Sequence, residues 1–168
     1  MSFIGVLTES KNESEFEKRV RENLKTLKPK PTILTINDKT IGNIKNIKFD
    51  MIVMNYNRVF KNQIMLKKIL QNTKKLILNT DIEIQQDLLQ NLRITVITYG
   101  FNSKSTVTAS SINEDEILLC IQRSIQCMNG EMIEPQEIKI DKELDKNNNP
   151  YLLMAARIIS LLYEGKCD

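Results

Sequence analysis

The chain has 168 residues, of which 41% are hydrophobic and 27% charged, with five glycines and four prolines. This is the composition of a globular protein rather than a disordered or fibrous one, and we expect one domain, residues 1–168, large enough to bury a core. Its 24 basic and 21 acidic residues give a net charge of +3. That balance predicts no nucleic-acid partner and no attraction to an anionic membrane surface.

Apolar stretches and cysteines predict a reduced, cytoplasmic protein. The sequence has no apolar run of about 18 residues, and its N-terminal apolar stretch, residues 3–7, is too short for a signal-peptide core. The absence of histidine excludes an imidazole acid or base and a His-containing zinc site. Cys120, Cys127 and Cys167 form no CxxC pair, so we expect structural thiols, with Cys120 buried in an apolar run.

The first third of the chain predicts a strand, a helix and a second strand. Residues 3–7 are apolar, and Ser14 with Glu17 three positions later matches a capping box. The apolar residues that follow have helical spacing and predict one buried face: Phe16, Val20, Leu24 and Leu27. Pro29 and Pro31 should end that helix, and residues 32–36 form a short β-branched run.

The middle of the chain continues the alternation of strands and helices. Residues 40–48 predict a loop or a poor helix, and residues 51–54 predict a central parallel strand. A helix over 62–71 and a strand over 76–78 follow. We then expect Asp81, with Thr80 before it, to cap a helix that runs to about residue 91, followed by a strand over 94–98. The residues predicted to face inward from that helix are Ile82, Leu88, Leu89 and Leu92.

The last third predicts strands joined by short turns, then one helix. Residues 106–111, 117–122 and 137–140 have no helix between them, which favours antiparallel pairing. The Asn147–Pro150 segment predicts the start of a final helix that ends before Gly165. The predicted fold is α/β: a three-layer, Rossmann-like (P-loop-type), mostly parallel sheet with helices on both faces and an antiparallel extension near the C-terminus.

Three segments resemble the central, ATP-binding domain of the Mur ligases and folylpolyglutamate synthases. They are LILNTD at 76–81, VITYGFNSKSTVTASSI at 96–112 and NPYLLMAA at 149–156. The similarity spans nearly the whole chain, and its most specific part is VITYGF with the strand after it. In that family the central domain lies between a substrate domain and a ligase domain, and we expect neither in this sequence.

The segment that would correspond to the family's phosphate loop departs from it. Residues 5–14 read GVLTESKNES, which lacks the run of glycines whose backbone N–H groups surround a phosphate. Glu9 places negative charge where the family binds a triphosphate, and Lys11 is about one position away from the place of the family's phosphate-loop lysine. Thr8, Ser10 and Lys11 are therefore interpreted as a degenerate phosphate loop.

The family's metal-binding residues are also missing. Asn55 stands where the family has a metal-binding Glu, and the family's metal-linked histidine has no counterpart because the sequence contains no histidine. Of the family's two asparagines before the last helix, the first is present as Asn149 and the second is replaced by Leu152. Phosphoryl transfer depends on positioned cations and donors. The resemblance therefore implies no catalytic residue, no metal ligand and no cofactor, with ATP and Mg²⁺ disfavoured.

What remains of the family's site is a crevice that would lie beyond the carboxyl ends of the strands. The family's counterparts of Asn79 and Asp81 lie near the nucleotide base and ribose, so these residues with Tyr99 are the candidate vestigial nucleotide site. The alternative is purely structural, with Asp81 as a helix cap, Asn79 in a loop and Tyr99–Gly100 as a turn, and these residue types favour it.

The functional hypothesis is a non-catalytic, cytoplasmic Mur-ligase-like domain that acts as a binding or assembly component. Surfaces that flanking domains would cover in the family predict self-association or a protein partner. The first alternative is a sensor that binds a small molecule or nucleotide in the remaining crevice. The last is a subunit of an ATP-dependent amide ligase completed by another chain.

Overall fold

The structure is a computed structural model that describes residues 1–55, 60–84, 86–142 and 149–165. Within these ranges the chain forms ten strands, which are β1 (Phe3–Thr8), β2 (Thr32–Thr35), β3 (Met51–Asn55), β4 (Lys75–Asn79), β5 (Thr95–Gly100), β6 (Val107–Ile112), β7 (Glu116–Ile121), β8 (Ile125–Gln126), β9 (Met132–Ile133) and β10 (Gln136–Asp141). The same ranges contain the helices α1 (Glu13–Asn23), α2 (Ile41–Ile44), α3 (Gln63–Gln71), α4 (Gln86–Leu89) and α5 (Pro150–Glu164), with a 3-10 turn at Ser10–Asn12 before α1.

Eight of the strands form one sheet in the order β2-β1-β3-β4-β5-β6-β7-β10. Neighbours from β2 to β6 are parallel, whereas β7 is antiparallel to both β6 and β10. The two remaining strands, β8 and β9, pair as a separate antiparallel hairpin. The predicted α/β fold with a mostly parallel sheet and an antiparallel extension is confirmed.

Helices cover both faces of this sheet because both faces are apolar. Side chains alternate along a strand, so Val53 and Ile77 face a core that includes α1 and α5, whereas Ile52 and Leu76 face a core that includes α2, α3 and α4. The continuous apolar run in β3 is buried on both sides, as expected for a central parallel strand. In the described residues, no helix has the length and apolar character needed to cross a membrane.

The antiparallel extension begins one strand later than the turn pattern predicts. Strand β6 pairs parallel with β5, and Tyr99↔Val107 and Gly100↔Thr108 are the paired residues. Parallel neighbours usually need a crossover of a dozen or more residues. The short connection at 101–106 is sufficient here because β6 overlaps only the last two residues of β5.

The capping box predicted at Ser14 and Glu17 is wrong. Helix α1 begins at Glu13 after Asn12, and no side chain caps it. The 3-10 turn before it already has the Asn12 amide donating to the Glu9 carbonyl at 2.8 Å, so the chain is helical before Ser14 is reached. An N-cap residue needs an extended backbone, which Ser14 does not have.

The helix predicted from Asp81 to about residue 91 is confirmed only in part, since among the described residues of that range the helical ones are those of α4 (Gln86–Leu89). The Asp81 carboxylate does not cap it. Instead it accepts hydrogen bonds from the Phe101 amide at 2.7 Å and the Tyr151 hydroxyl at 3.0 Å. Of the residues predicted to face inward, Leu88 is buried, whereas Ile82, Leu89 and Leu92 are partly buried.

The start and end signals predicted for the final helix are confirmed. The predicted burial of one cysteine is not. The Asn149 side chain accepts from the Tyr151 amide at 3.1 Å, Pro150 opens α5, and Gly165 ends it. Cys120 is half-buried, since alternation along β7 points Ile121 inward instead, while Cys127 is buried. Asn147, Asn148 and Cys167 lie outside the described residues.

Candidate ligand-binding cleft

A cleft of about 500 Å³ opens at the carboxyl edge of the parallel sheet. It lies at the ends of the adjacent strands β1 and β3. From β1 the chain continues to β2 on one side of this pair, and from β3 it continues to β4 on the other side. Such a reversal of strand order is where open α/β sheets place their ligands. The lining residues come from the ends of β1, β3 and β4 and the start of α5: Glu9, Lys11, Asn12, Asn55, Asn79, Asp81, Ile82, Asn149 and Tyr151.

A row of polar side chains crosses the sheet at this edge. Thr8 is paired with Asn55, and Asn79 with Tyr99, at the ends of four adjacent strands. The Asn79 side-chain amide donates to the Asn55 side-chain oxygen at 2.5 Å, which joins the two halves of the row. By alternation the row lies on the face covered by α1 and α5, in line with apolar residues such as Val53. The core therefore changes from apolar to polar at one level across the sheet.

Two hydroxyl groups in this row are buried without a partner. The Oγ1 of Thr8 and the hydroxyl of Tyr99 have no hydrogen bond among the described residues, and these residues are only 4% and 0% exposed. Burial raises the pKa of Tyr99, with Tyr151 and Asp81 adding to the effect, so the phenol stays neutral. An unsatisfied buried polar group costs about 1–3 kcal/mol. Two of the polar groups beneath the cleft therefore lack a partner in the described part of the fold.

Asp81 is fixed by contacts from three directions. Its own amide donates to the Asn79 side-chain oxygen at 2.9 Å, and its Oδ2 accepts from the Phe101 amide and the Tyr151 hydroxyl. Burial, followed by the hydrogen bond to Asp81 and its charge, raises the pKa of Tyr151 to about 12. Tyr151 therefore remains a hydrogen-bond donor at neutral pH, and the carboxylate is held in one orientation at the cleft wall.

An aromatic pair flanks the same carboxylate. The rings of Phe101 and Tyr151 meet edge to face, with centroids 5.0 Å apart and planes at 68°. Phe101 is 40% exposed, which is unusual for a residue of its size in this chain. Of this pair, Tyr151 lines the cleft, and together with Ile82 it adds apolar surface to a largely polar lining, a combination typical of small-molecule sites.

The opposite wall is the turn between β1 and α1, and its charges are already paired. Lys11 Nζ lies 2.9 Å from the Glu9 carboxylate, and the Asn12 amide is occupied by the Glu9 carbonyl. A phosphate cradle needs free backbone N–H groups and excess positive charge. Here the cleft lining contains two carboxylates, those of Glu9 and Asp81, and one ammonium. The wall is therefore poorly suited to a polyphosphate.

The structure brings together most of the residues predicted from sequence. Lys11, Asn79 and Asp81 line the cleft. Thr8 and Tyr99 lie in the polar row, whereas Ser10 is exposed and does not line the cleft.

Tyr151 is the main residue that sequence reasoning missed. The sequence feature that could have identified Tyr151 is its position two residues after the Asn149 cap, at the start of the last helix. The N-terminus of a helix packed on a parallel sheet, like the strand ends, can supply side chains to this edge.

Within the described ranges, no group of three or more acidic or cysteine side chains is placed to hold a metal ion. The polar groups of the cleft lining are two carboxylates, four asparagine side chains, one ammonium and a tyrosine hydroxyl, all of which can form hydrogen bonds. The sequence matches no protein-family model and no curated protein.

Proposed function

We propose that the chain is a non-catalytic, Mur-ligase-like domain that acts as a binding component and holds a nucleoside-type ligand, without a polyphosphate, in the carboxyl-edge cleft. The observation that carries this proposal is the polar row beneath the cleft, with two buried hydroxyl groups that lack a partner among the described residues. A protein retains such groups at a cost in stability unless a ligand or water satisfies them.

The polar groups suit a ligand rich in hydroxyls. Asp81 uses Oδ2 for both of its side-chain hydrogen bonds in the described part of the chain, which leaves Oδ1 to accept from a ligand hydroxyl. Asn55 and Asn149 add amide groups that both donate and accept. A ribose presents adjacent hydroxyls that match one carboxylate flanked by amides.

The aromatic pair and the charges narrow the ligand class further. The ring of Tyr151 lines the cleft with the exposed ring of Phe101 against it, and it offers apolar surface to a planar base. The excess of carboxylates over ammonium groups in the lining disfavours a triphosphate. A nucleoside or a close relative satisfies both conditions, and the protein would report its presence rather than transform it.

The test is a thermal-unfolding screen of nucleosides and their mono- and triphosphates, followed by calorimetry. A ligand that binds only the folded state adds about 2.7 kcal/mol of stability at a hundred times its Kd. We expect stabilisation by a nucleoside, weaker stabilisation by its triphosphate with or without Mg²⁺, and no ATP turnover.

Two variants make the screen specific. Asp81→Asn removes the charge that accepts ligand hydroxyls and should weaken binding by about tenfold or more. Asp141→Asn, at an exposed carboxylate on the edge strand β10, makes the same chemical change away from the cleft and should bind like wild type. Equal binding by both variants, or no shift with any member of the panel, would refute the proposal.

A further inference from the structure

A second cavity, of about 480 Å³, lies at the opposite, amino edge of the sheet. It is formed by the first residues of β4 and β5, Lys75 and Thr95, and by the turn that joins β8 to β9. Since Lys75 and Asn79 are the two ends of β4, about 13 Å of strand at about 3.3 Å per residue separates the two cavities. This cavity is therefore independent of the proposed nucleoside site.

Lys75 is the unusual residue in this cavity. It is only 7% exposed, and among the described residues no carboxylate is within ion-pair distance of its ammonium. Burial lowers the pKa of Lys75, and Cys127 partly counteracts this. A largely buried lysine without a counter-charge loses part of its ammonium's hydration and gains no ion pair in exchange. The fold places a cation here, and the described part of the chain supplies no carboxylate to neutralise it.

The adjacent lysine shows that a counter-ion was available at this edge. The Lys74 ammonium lies 2.5 Å from Oδ1 of Asp50 and is mostly exposed. Asp50 also accepts from the Phe3 amide, so its carboxylate is committed to partners other than Lys75. Both lysines line the cavity, and among the described residues the one without an ion-pair partner is the more buried of the two, Lys75.

Apart from Lys74, whose ammonium is paired with Asp50, three polar side chains in the lining are neutral donors. Thr95 brings a hydroxyl, and Gln126 and Asn129 bring side-chain amides. No aspartate or glutamate belongs to the lining among the described residues. An unpaired ammonium on a largely buried side chain, with neutral donors and a second lysine beside it, is an arrangement that suits an oxyanion.

We propose that the amino-edge cavity binds the oxyanion group of a small molecule, a phosphate or a carboxylate, with the Lys75 ammonium as its counter-charge. The neutral donors around the ammonium hydrogen-bond the remaining oxygens. The cavity is large enough for a metabolite rather than a bare ion.

The experiment titrates the whole chain with inorganic phosphate and, separately, with acetate at constant ionic strength. The Met128 methyl signal and the Gly130 amide signal are followed by NMR, because both residues line the cavity. We expect a saturable shift at these two positions with at least one probe. Saturation with phosphate alone assigns a phosphate-bearing ligand, and saturation with acetate assigns a carboxylate-bearing one.

A matched pair of variants tests the role of the buried lysine. Lys75→Met keeps the length of the side chain, removes the unpaired charge and should weaken binding by about tenfold or more. Lys68→Met makes the same change at an exposed position on α3 and should leave binding unchanged. The proposal is overturned if Lys75→Met binds as wild type does, or if neither probe gives a saturable shift below about 50 mM, well above a millimolar Kd.

Discussion

Replacing Gly100 by alanine tests whether the Asp81 carboxylate is held where the cleft needs it. Gly100 has φ of +149°, and an added Cβ would lie 2.8 Å from Oδ2 and 2.9 Å from Cγ of Asp81. The alanine methyl therefore requires Asp81 to move. That movement breaks the hydrogen bonds from the Phe101 amide and the Tyr151 hydroxyl.

The cost can be separated into two parts by comparison with other glycines. A positive φ costs an alanine about 1–2 kcal/mol, and the loss of hydrogen bonds to a charged group costs about 1.5–3 kcal/mol, part of which water restores at an exposed carboxylate. We expect Gly100→Ala to lose about 3 kcal/mol in total. Gly130→Ala, at φ +89° with nothing near the added Cβ, should lose only the first part. Gly42→Ala, in α2 with open space around it, should gain about 0.5–1 kcal/mol.

Urea unfolding followed by circular dichroism measures these three free energies. A second readout follows the tyrosines by ultraviolet absorbance, because displacing Asp81 should lower the pKa of Tyr151 from about 12. If Gly100→Ala costs no more than Gly130→Ala and leaves the titration of Tyr151 unchanged, then Asp81 is not fixed at the cleft wall as described.

Three further changes test other parts of the structure. Tyr99→Phe removes a buried hydroxyl that has no partner among the described residues. In urea unfolding without ligand, this variant should have a free energy of unfolding about 1 kcal/mol higher than wild type. A lower free energy of unfolding would show that the hydroxyl is hydrogen-bonded. Asn149→Ala removes a helix cap and should lower the free energy of unfolding by about 1 kcal/mol, whereas Ser14→Ala should change it by no more than about 0.5 kcal/mol. If Ser14→Ala is the more destabilising variant, the predicted capping box is correct after all. Burial by itself raises the pKa of Asp50, but its hydrogen bonds, led by that from Lys74, outweigh burial and lower the pKa below 3.8. The stabilisation by Asp50 is therefore present above that value and lost as the pH falls through the folded-state pKa, so Asp50→Asn should reduce the dependence of stability on pH below about pH 4.

Local patterns predicted much of the fold because they reflect burial directly. The continuous apolar run 51–54 has no polar face, as is typical of a strand in a sheet covered on both sides. The final helix carries its own start and end signals in Asn149, Pro150 and Gly165, and all three act as predicted. These features depend on neighbours in sequence, so the sequence is sufficient to find them.

The predictions for Ser14 and Asp81 failed for a shared reason. Both residues are good helix caps, and capping was assigned from residue type and spacing. In the structure a preceding 3-10 turn removes the need for a cap at Ser14, while partners at Phe101 and Tyr151 take the Asp81 carboxylate. A polar side chain that has several potential partners goes to those which the fold brings nearest.

The sequence by itself determined the class of fold and the edge of the sheet at which polar residues gather, since Thr8, Asn55 and Asn79 each stand at the end of an apolar strand. The resemblance to the Mur ligase central domain stays a prediction. Only the tertiary structure decided that these ends are level in register, that α5 brings Tyr151 to Asp81, and that Lys75 is largely buried with no carboxylate partner among the described residues. Those properties depend on distances between residues that are far apart in the chain. Strand pairing and helix packing determine these distances, and the local sequence does not encode them.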